Sequence, residues 1–472
     1  MLEPKVWQLT AGSVAVGLVL AAGAVSLAGP WDSGQRKAER RWAAAQDRTG
    51  GADHGPPAAH GPAREPAPAP SAPAVLAALG GAAPPAARLP AGLAEKLGKK
   101  LGPLLDDPAL GKVRTAEVID VATGRRLYGK GPDTPMVPAS TVKIATMVAA
   151  LSALGPEHRI PTTVVVGRDA RKLTLVGGGD ASLDTRRLGA LADDTARALG
   201  DRGITAVEIG YDASLYSGPR EHPIGPNDNI APVVALMADE GRLDHSTSGP
   251  APRSGDPAGD AADVFAGLLR DRGVRITGPT RPHRAPKGAK PLARTYSAPL
   301  SALVERTLTE SDNDLAESLA RQTALAGDEP ASFAGAGRAV TEQIEELELP
   351  LGHARFTDGS GLSREDRVGA SLLTALLARA ADPDHPELRP VLTGLPVAGF
   401  SGTLRGRYED DVPARGLVRA KTGTLTGVNA LAGTVVDAGG RLLAFAFLAG
   451  ATPAPDPAQT ALDRLSAALG RR

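Results

Sequence analysis

Apolar and polar residues alternate with period two along several short runs of this chain and recur with helical spacing along others, an order that predicts mixed α/β architecture. Val113 to Lys130 predicts a β-hairpin, with Thr123-Gly124-Arg125 in the turn and apolar residues to either side. Ser140 to Leu154, preceded by Pro138, is apolar on most faces and predicts a buried helix. Strands are predicted near Thr162 to Val166, Lys172 to Val176 and Ile204 to Ile209, with an amphipathic helix near Leu183 to Leu199. Residues 301–347 return to helical spacing, residues 417–449 hold three strand-like runs ending in Leu442 to Leu448, and a further helix is predicted near Pro457 to Leu469. Strand patterns near both ends of this body flank a middle region with strands of its own. The order therefore predicts an α/β (α+β) catalytic domain built from 91–160 and 296–472, with a smaller α/β region inserted over 161–295.

The first 90 residues read differently. No residue between Lys5 and Asp32 is charged, and Leu9 to Ala28 is a 20-residue stretch of mostly Ala, Val, Leu and Gly. That length spans a bilayer, and Ser26-Leu27-Ala28 places small residues where a signal peptidase reads. Residues 1–30 are thus a signal peptide or a membrane anchor, and both predict export to the cell envelope, with membrane contact where the segment is retained. Arg36, Lys37, Arg40 and Arg41 follow the segment, a charge bias that long translocated domains override. Residues 31–90 predict an extended linker, since ten of the 40 residues from Gly51 to Pro90 are Pro.

Composition removes whole classes of function. Lys plus Arg and Asp plus Glu are both 53, a net charge of zero that provides no field for nucleic acid. With no cysteine there are no disulfides, thiolate metal sites or cysteine nucleophiles. The eight His are scattered without an H-x-x-x-H pair, so no metal and no cofactor is expected. Aromatic residues make up 3%, which leaves the core to Ala, Val, Leu and Ile.

Three short motifs occur in order: Ser140-Thr141-Val142-Lys143, Ser311-Asp312-Asn313 and Lys421-Thr422-Gly423-Thr424. With 12 Lys, 22 Ser and 4 Asn in the chain, the trio has a chance expectation of roughly 0.01 before order is required. Each spacing has a chemical reason. Three residues along a helix return to nearly the same face, so the Lys143 amine can reach the Ser140 hydroxyl and act as its base. A serine opening a helix also gains exposed N–H groups for a developing oxyanion. A lysine loses its proton near neutral pH when it is desolvated beside another cation, the part expected of Lys421, which could also hold a substrate carboxylate. In an extended run Ser311 and Asn313 point to the same side, one relaying a proton and the other gripping a substrate amide. Lys421 to Thr424 follows the strand-like Leu417-Val418-Arg419-Ala420, where Gly423 is expected to let a substrate backbone lie alongside and Thr424 N–H to be the second oxyanion donor.

These motifs, with Leu175-Val176-Gly177-Gly178-Gly179-Asp180, the run Tyr211 to Tyr216 and Asp358-Gly359-Ser360-Gly361-Leu362-Ser363-Arg364, resemble the D-alanyl-D-alanine carboxypeptidase/endopeptidase family of class C low-molecular-mass penicillin-binding proteins, peptidase family S13. The resemblance runs from about residue 104 to 470 and implies a penicillin-binding-protein/β-lactamase-like transpeptidase domain, with the insert between the S-x-x-K and S-x-N motifs. It implies an acyl-enzyme on Ser140, Lys143 as proton acceptor, Ser311 as donor to the leaving D-Ala, Lys421 and Thr422 on the terminal carboxylate and Asn313 on the peptide amide. Arg364 falls in the region that binds the side chain at the third stem position. The implied partners are peptidoglycan stem peptides, with β-lactams as covalent inhibitors. Leu425 stands where some relatives have methionine, and the insert is short for the family. A β-lactamase of class A is the weaker reading, because no asparagine lies between Asp314 and Ala420 to accompany a water-holding glutamate. A non-catalytic envelope sensor has no use for the intact Lys143 and Ser311.

Overall fold

The computed structural model describes residues 90, 92–409 and 412–470. The expected signal or anchor over 1–30 and, Pro90 apart, the linker over 31–90 lie outside the described residues. Among the described residues no helix is long and apolar enough to cross a membrane.

Helix α1 (Leu93–Leu105) precedes a hairpin of β1 (Val113–Asp120) and β2 (Arg126–Lys130), and a 3-10 turn over Ala139–Val142 then leads into α2 (Lys143–Leu154). Next come β3 (Pro161–Val166), β4 (Lys172–Gly177), α3 (Thr185–Gly200), β5 (Ala206–Asp212) and α4 (Pro257–Asp271). The short β6 (Arg275–Ile276) and β7 (Arg281–Pro282) lead to β8 (Lys290–Tyr296). A helical stretch follows, α5 (Leu300–Glu310), α6 (Asn313–Ala326), α7 (Phe333–Glu346), α8 (Ala370–Ala381) and α9 (Arg389–Thr393). The last elements are β9 (Val418–Leu425), β10 (Val428–Val436), β11 (Leu442–Gly450) and α10 (Pro455–Gly470).

The two ends of this body meet in one antiparallel sheet of order β2-β1-β11-β10-β9, in which β1 pairs with β11 from Val113↔Gly450 to Asp120↔Leu443. Strand β11 lies at its centre, and its sequence shows why. Leu443, Phe445, Phe447 and Ala449 face α1 and α10, while Ala444, Ala446 and Leu448 face the layer of α2 and α8. A strand covered on both sides carries apolar residues at every position rather than at alternate ones. The small Ala side chains on one face let the helical layer pack close.

Residues 161–296 supply the second sheet, of order β6-β5-β4-β3-β8, with β4 and β5 parallel across the crossover helix α3. Val164, Leu175 and Ile209 of this sheet, Leu188 of α3 and Phe265 of α4 belong to one apolar cluster with Met147 and Leu151 of α2. The inserted region thus shares its core with the catalytic helices. Helix α2 lies inside this cluster with its first nine residues buried, which accounts for an apolar run without a polar face.

Phe445 and Phe447, both fully buried, stack at 5.2 Å on the face toward α1 and α10. Phe445→Ala is expected to lower stability by about 3–5 kcal/mol, measured by denaturant unfolding; an unchanged midpoint would contradict the central place of β11.

Candidate active site

Ser140 sits on a tight turn. Ala139 has φ 47, a left-handed conformation that costs a non-glycine residue energy, and it redirects the chain just before Ser140. Two glycines let neighbouring segments close on that turn. A Cβ on Gly423 of β9 would lie 2.7 Å from Pro138 O and 3.2 Å from Ser140 N, and one on Gly361 would lie 2.1 Å from Ala139 O. The space left by the missing Gly423 side chain is therefore filled by the nucleophile turn, not kept for a substrate strand as the sequence suggested.

One turn of helix brings Lys143 Nζ to 3.1 Å from Ser140 Oγ. The same nitrogen lies 2.7 Å from Asn313 Oδ1 and 2.6 Å from the Ser360 carbonyl oxygen. A neutral amine has two hydrogens and one lone pair. The two carbonyl oxygens can only accept, so they take both hydrogens and leave the lone pair for the Ser140 hydroxyl proton. Lys143 is fully buried, and burial pushes its pKa down to about 8 against the upward pull of Asp358, Asp312, Glu317 and Asp314. Lys421 is equally buried and is held well below the usual lysine range by burial and then by the charge of Lys143. Desolvation is thus the leading cause for both amines, and the repulsion between them adds to it at Lys421.

The second motif differs in backbone from the extended run expected. Helix α5 ends with Ser311 in the left-handed region, φ 59 and ψ 36, and Asp312 caps α6 by accepting the Leu315 N–H at 3.0 Å. A residue able to turn left-handed followed by a good N-cap favours a helix–turn–helix over a strand. The turn still aims both side chains at the catalytic lysines. Lys421 Nζ donates to Ser311 Oγ at 2.8 Å, and Asn313, besides accepting from Lys143, donates through Nδ2 to the Asn229 carbonyl at 2.9 Å. Asn313 is therefore first a holder of Lys143, with one Nδ2 hydrogen left for a ligand.

Ser140, Ser311, Asn313, Thr422 and Thr424 line one cleft of about 420 Å³ together with Asn229, Arg253, Thr403, Arg407 and Gln459, none of which the motifs indicate. Thr422 Oγ1 donates to Thr403 Oγ1 at 2.8 Å. Arg364 is not among the residues lining this cleft; it is exposed and donates to the Thr426 carbonyl at 2.7 Å, beside the β9–β10 turn. Sequence reasoning also missed Glu317. Its Oε1 accepts the N–H groups of Gly359 and Ser360 at 2.9 and 3.0 Å, and Arg321 Nη1 donates to its Oε2 at 2.9 Å. It thereby holds the loop that offers its carbonyl to Lys143. The buried group Glu240, Asp312 and Asp314 is laced with Arg242, Arg253 and Arg306, the chemistry of an ion-pair network rather than of a cation cage.

A model of the D-Ala-D-Ala carboxypeptidase 3 (S13) family matches residues 97–252 and 244–469. The chain belongs to this S13 family. A carboxypeptidase of Mycobacterium tuberculosis is 37% identical over 428 residues, covering 86% of this chain and 90% of that protein. A carboxypeptidase of Mycolicibacterium smegmatis is 38% identical over 390 residues, covering 79% and 83% respectively. The crystal structure of penicillin binding protein 4 from Haemophilus influenzae superposes with a TM-score of 0.65 at 22% identity, over 79% of this chain and 97% of that one. The S13 chain thus has the fold that the motif order implied, and its family makes it a D-Ala-D-Ala carboxypeptidase acting at the cell wall.

Two expectations follow from the geometry. Acylation by a β-lactam needs neutral Lys143, so its rate rises about tenfold per pH unit below the Lys143 pKa and levels off above about 8; a profile still climbing at pH 10 would contradict a depressed lysine. Gly423→Ala forces β9 against the nucleophile turn, and stopped-flow acylation is expected to slow about 10²-fold, whereas a rate near that of the parent protein would show that the turn can yield.

Proposed function

We propose that this protein hydrolyses the terminal D-Ala-D-Ala bond of peptidoglycan stem peptides through an acyl-enzyme on Ser140. The observation that carries this reading is the Lys143 amine, fully buried, 3.1 Å from Ser140 Oγ and flanked by two carbonyl acceptors. As Ser140 Oγ bonds to the penultimate D-Ala carbonyl carbon, its proton passes to Lys143 Nζ and the carbonyl oxygen becomes an oxyanion. Collapse of this intermediate breaks the peptide bond, and the Ser311 hydroxyl hands a proton to the departing amine. Lys421 Nζ donates to Ser311 Oγ at 2.8 Å and eases the loss of its proton, and the proton taken up by Lys143 passes back to Ser311, which leaves both amines as they began. Water then attacks the ester and releases the shortened peptide.

Thr422 and Thr424 line the cleft and are suited to receive the terminal carboxylate, with Thr403 joining them through its hydrogen bond to Thr422. Lys421, buried and already bonded to Ser311 and the Thr422 carbonyl, contributes from behind. β-Lactams acylate Ser140 because their strained amide and nearby carboxylate present the same two features to the same groups. Cross-linked stem peptides can follow the same route, since endopeptidase action changes only the leaving group. We place the enzyme outside the cytoplasm, exported by the uncharged stretch Leu9 to Ala28 and attached to the membrane where that stretch is retained.

Incubation of the protein with a diacetyl-L-Lys-D-Ala-D-Ala tripeptide and a fluorescent penicillin tests the reading. D-Ala release and covalent labelling are both expected, and both are expected to vanish in Ser140→Ala with its unfolding midpoint unchanged. Labelling that persists in Ser140→Ala would remove Ser140 as the nucleophile.

A further inference from the structure

We propose that His222, supplied by the inserted region, is a positioning residue for the general base, acting through Asp358 on the loop whose Ser360 carbonyl aims Lys143. The proposal rests on the acyl-enzyme reading above. His222 is buried, against Asp358 and Phe333. Its ring Nδ1 accepts the Ile224 N–H at 3.3 Å, so the hydrogen is on Nε2, which donates to Asp358 Oδ2 at 2.8 Å across 136 residues of sequence. Phe333 meets the ring edge-on at 5.3 Å between centroids and fixes its plane.

Asp358 in turn organises the loop. Its Oδ1 accepts the Gly361 N–H at 2.6 Å, and its Oδ2 accepts the Ser363 N–H at 2.7 Å and the Ser360 hydroxyl at 3.2 Å. Asp358 therefore holds the amides that follow Ser360, while Glu317 holds those of Gly359 and Ser360 itself. The Ser360 carbonyl between these two anchors is turned onto Lys143 Nζ at 2.6 Å. Burial alone would raise the Asp358 pKa, but the hydrogen bond from His222 and the Gly361 N–H hold it low, while burial and the Asp358 charge push Asp366 up. Without His222 this buried carboxylate is one donor short.

The other carbonyl partner of Lys143 is set by the same loop. Asn313 presents Oδ1 to Lys143 because its Nδ2 is fixed on the Asn229 carbonyl, seven residues after His222. Hydrogen bonds from Gly225 N–H to the His222 carbonyl at 2.8 Å and from Asn229 N–H to Asn227 Oδ1 at 2.7 Å tie residues 222–229 to themselves. One loop of the insert, tied by its own hydrogen bonds, thus reaches both carbonyl partners of Lys143, Asn313 directly and Ser360 through Asp358.

Stopped-flow acylation by benzylpenicillin separates the limiting acylation rate from the dissociation constant of the complex that precedes it. His222→Ala is expected to lower the limiting rate about 10- to 100-fold while the dissociation constant stays within about twofold. His222→Gln, whose amide nitrogen reaches about as far as Nε2, is expected to recover most of the rate, and the shorter His222→Asn is not. A parent-like rate in His222→Ala, a loss confined to binding, or equal rates in the Gln and Asn variants would overturn the proposal. Should His222→Ala fail to fold, the Gln and Asn pair decides by itself, and misfolding of that pair would place His222 in the fold alone and equally overturn it. All rates are read against the parent protein, whose own failure to label at Ser140 would instead refute the acyl-enzyme.

Discussion

An amine stripped of water and fixed between two carbonyl oxygens is the constraint on which the rest of this structure depends. Removing a lysine from solvent disfavours its charged form, and Lys143 is fully buried, with its pKa drawn down to about 8. Such a site needs a helix embedded in protein on every side, and α2 meets that need with its first nine residues buried. The central sheet with its β11 core, the helical layer and the inserted sheet all pack toward this one helix. Four carboxylates nearby, those of Asp358, Asp312, Glu317 and Asp314, work against the depression, so the amine stays within reach of neutral pH as both acceptor and donor.

The two buried lysines divide the chemistry. Lys143 faces the Ser140 hydroxyl, and Lys421 faces the Ser311 hydroxyl, the proposed nucleophile and the proposed donor to the leaving group. Placing both charges in one buried space is costly, and the depression of both amines is the physical answer. The cleft is thus lined by hydroxyls of β9, those of Thr422 and Thr424, rather than by an exposed ammonium. This arrangement favours a ligand that combines a carboxylate with a scissile amide at a fixed separation, the feature common to D-Ala-D-Ala and penicillins.

What could be read from the sequence, and what could not, divides by range. Ser140 and Lys143 are three apart across the 3-10 turn that opens α2, and the β9 motif lies on one strand, so local spacing was enough to single them out. The hairpin of β1 and β2 and the apolar run of β11 were legible for the same reason. Ser311 and Asn313 were singled out by their spacing but misjudged as backbone, because Asp312 is a helix cap and the extended reading ignored it. Gly423 was singled out for a close approach by a substrate backbone, but the approach it permits in the structure comes from Pro138 and Ser140, far away in sequence. Glu317, Asn229 and the Ser360 carbonyl escaped notice altogether. A backbone carbonyl has no side-chain signature, and the Lys143–Ser360 pair is separated by 217 residues. Helix α1 was also missed, although Leu97, Leu101 and Leu105 repeat at helical spacing, because the stretch between the end of the linker at Pro90 and the hairpin at Val113 was given no element.

The most direct test of the account is an NMR titration of the Lys143 side chain, with ¹³C at Cε, in the Ser140→Ala protein, and with Lys143→Arg to assign the signal. The account predicts a lysine titrating near pH 8. A Lys143 signal that stays protonated to pH 10 and beyond would contradict it.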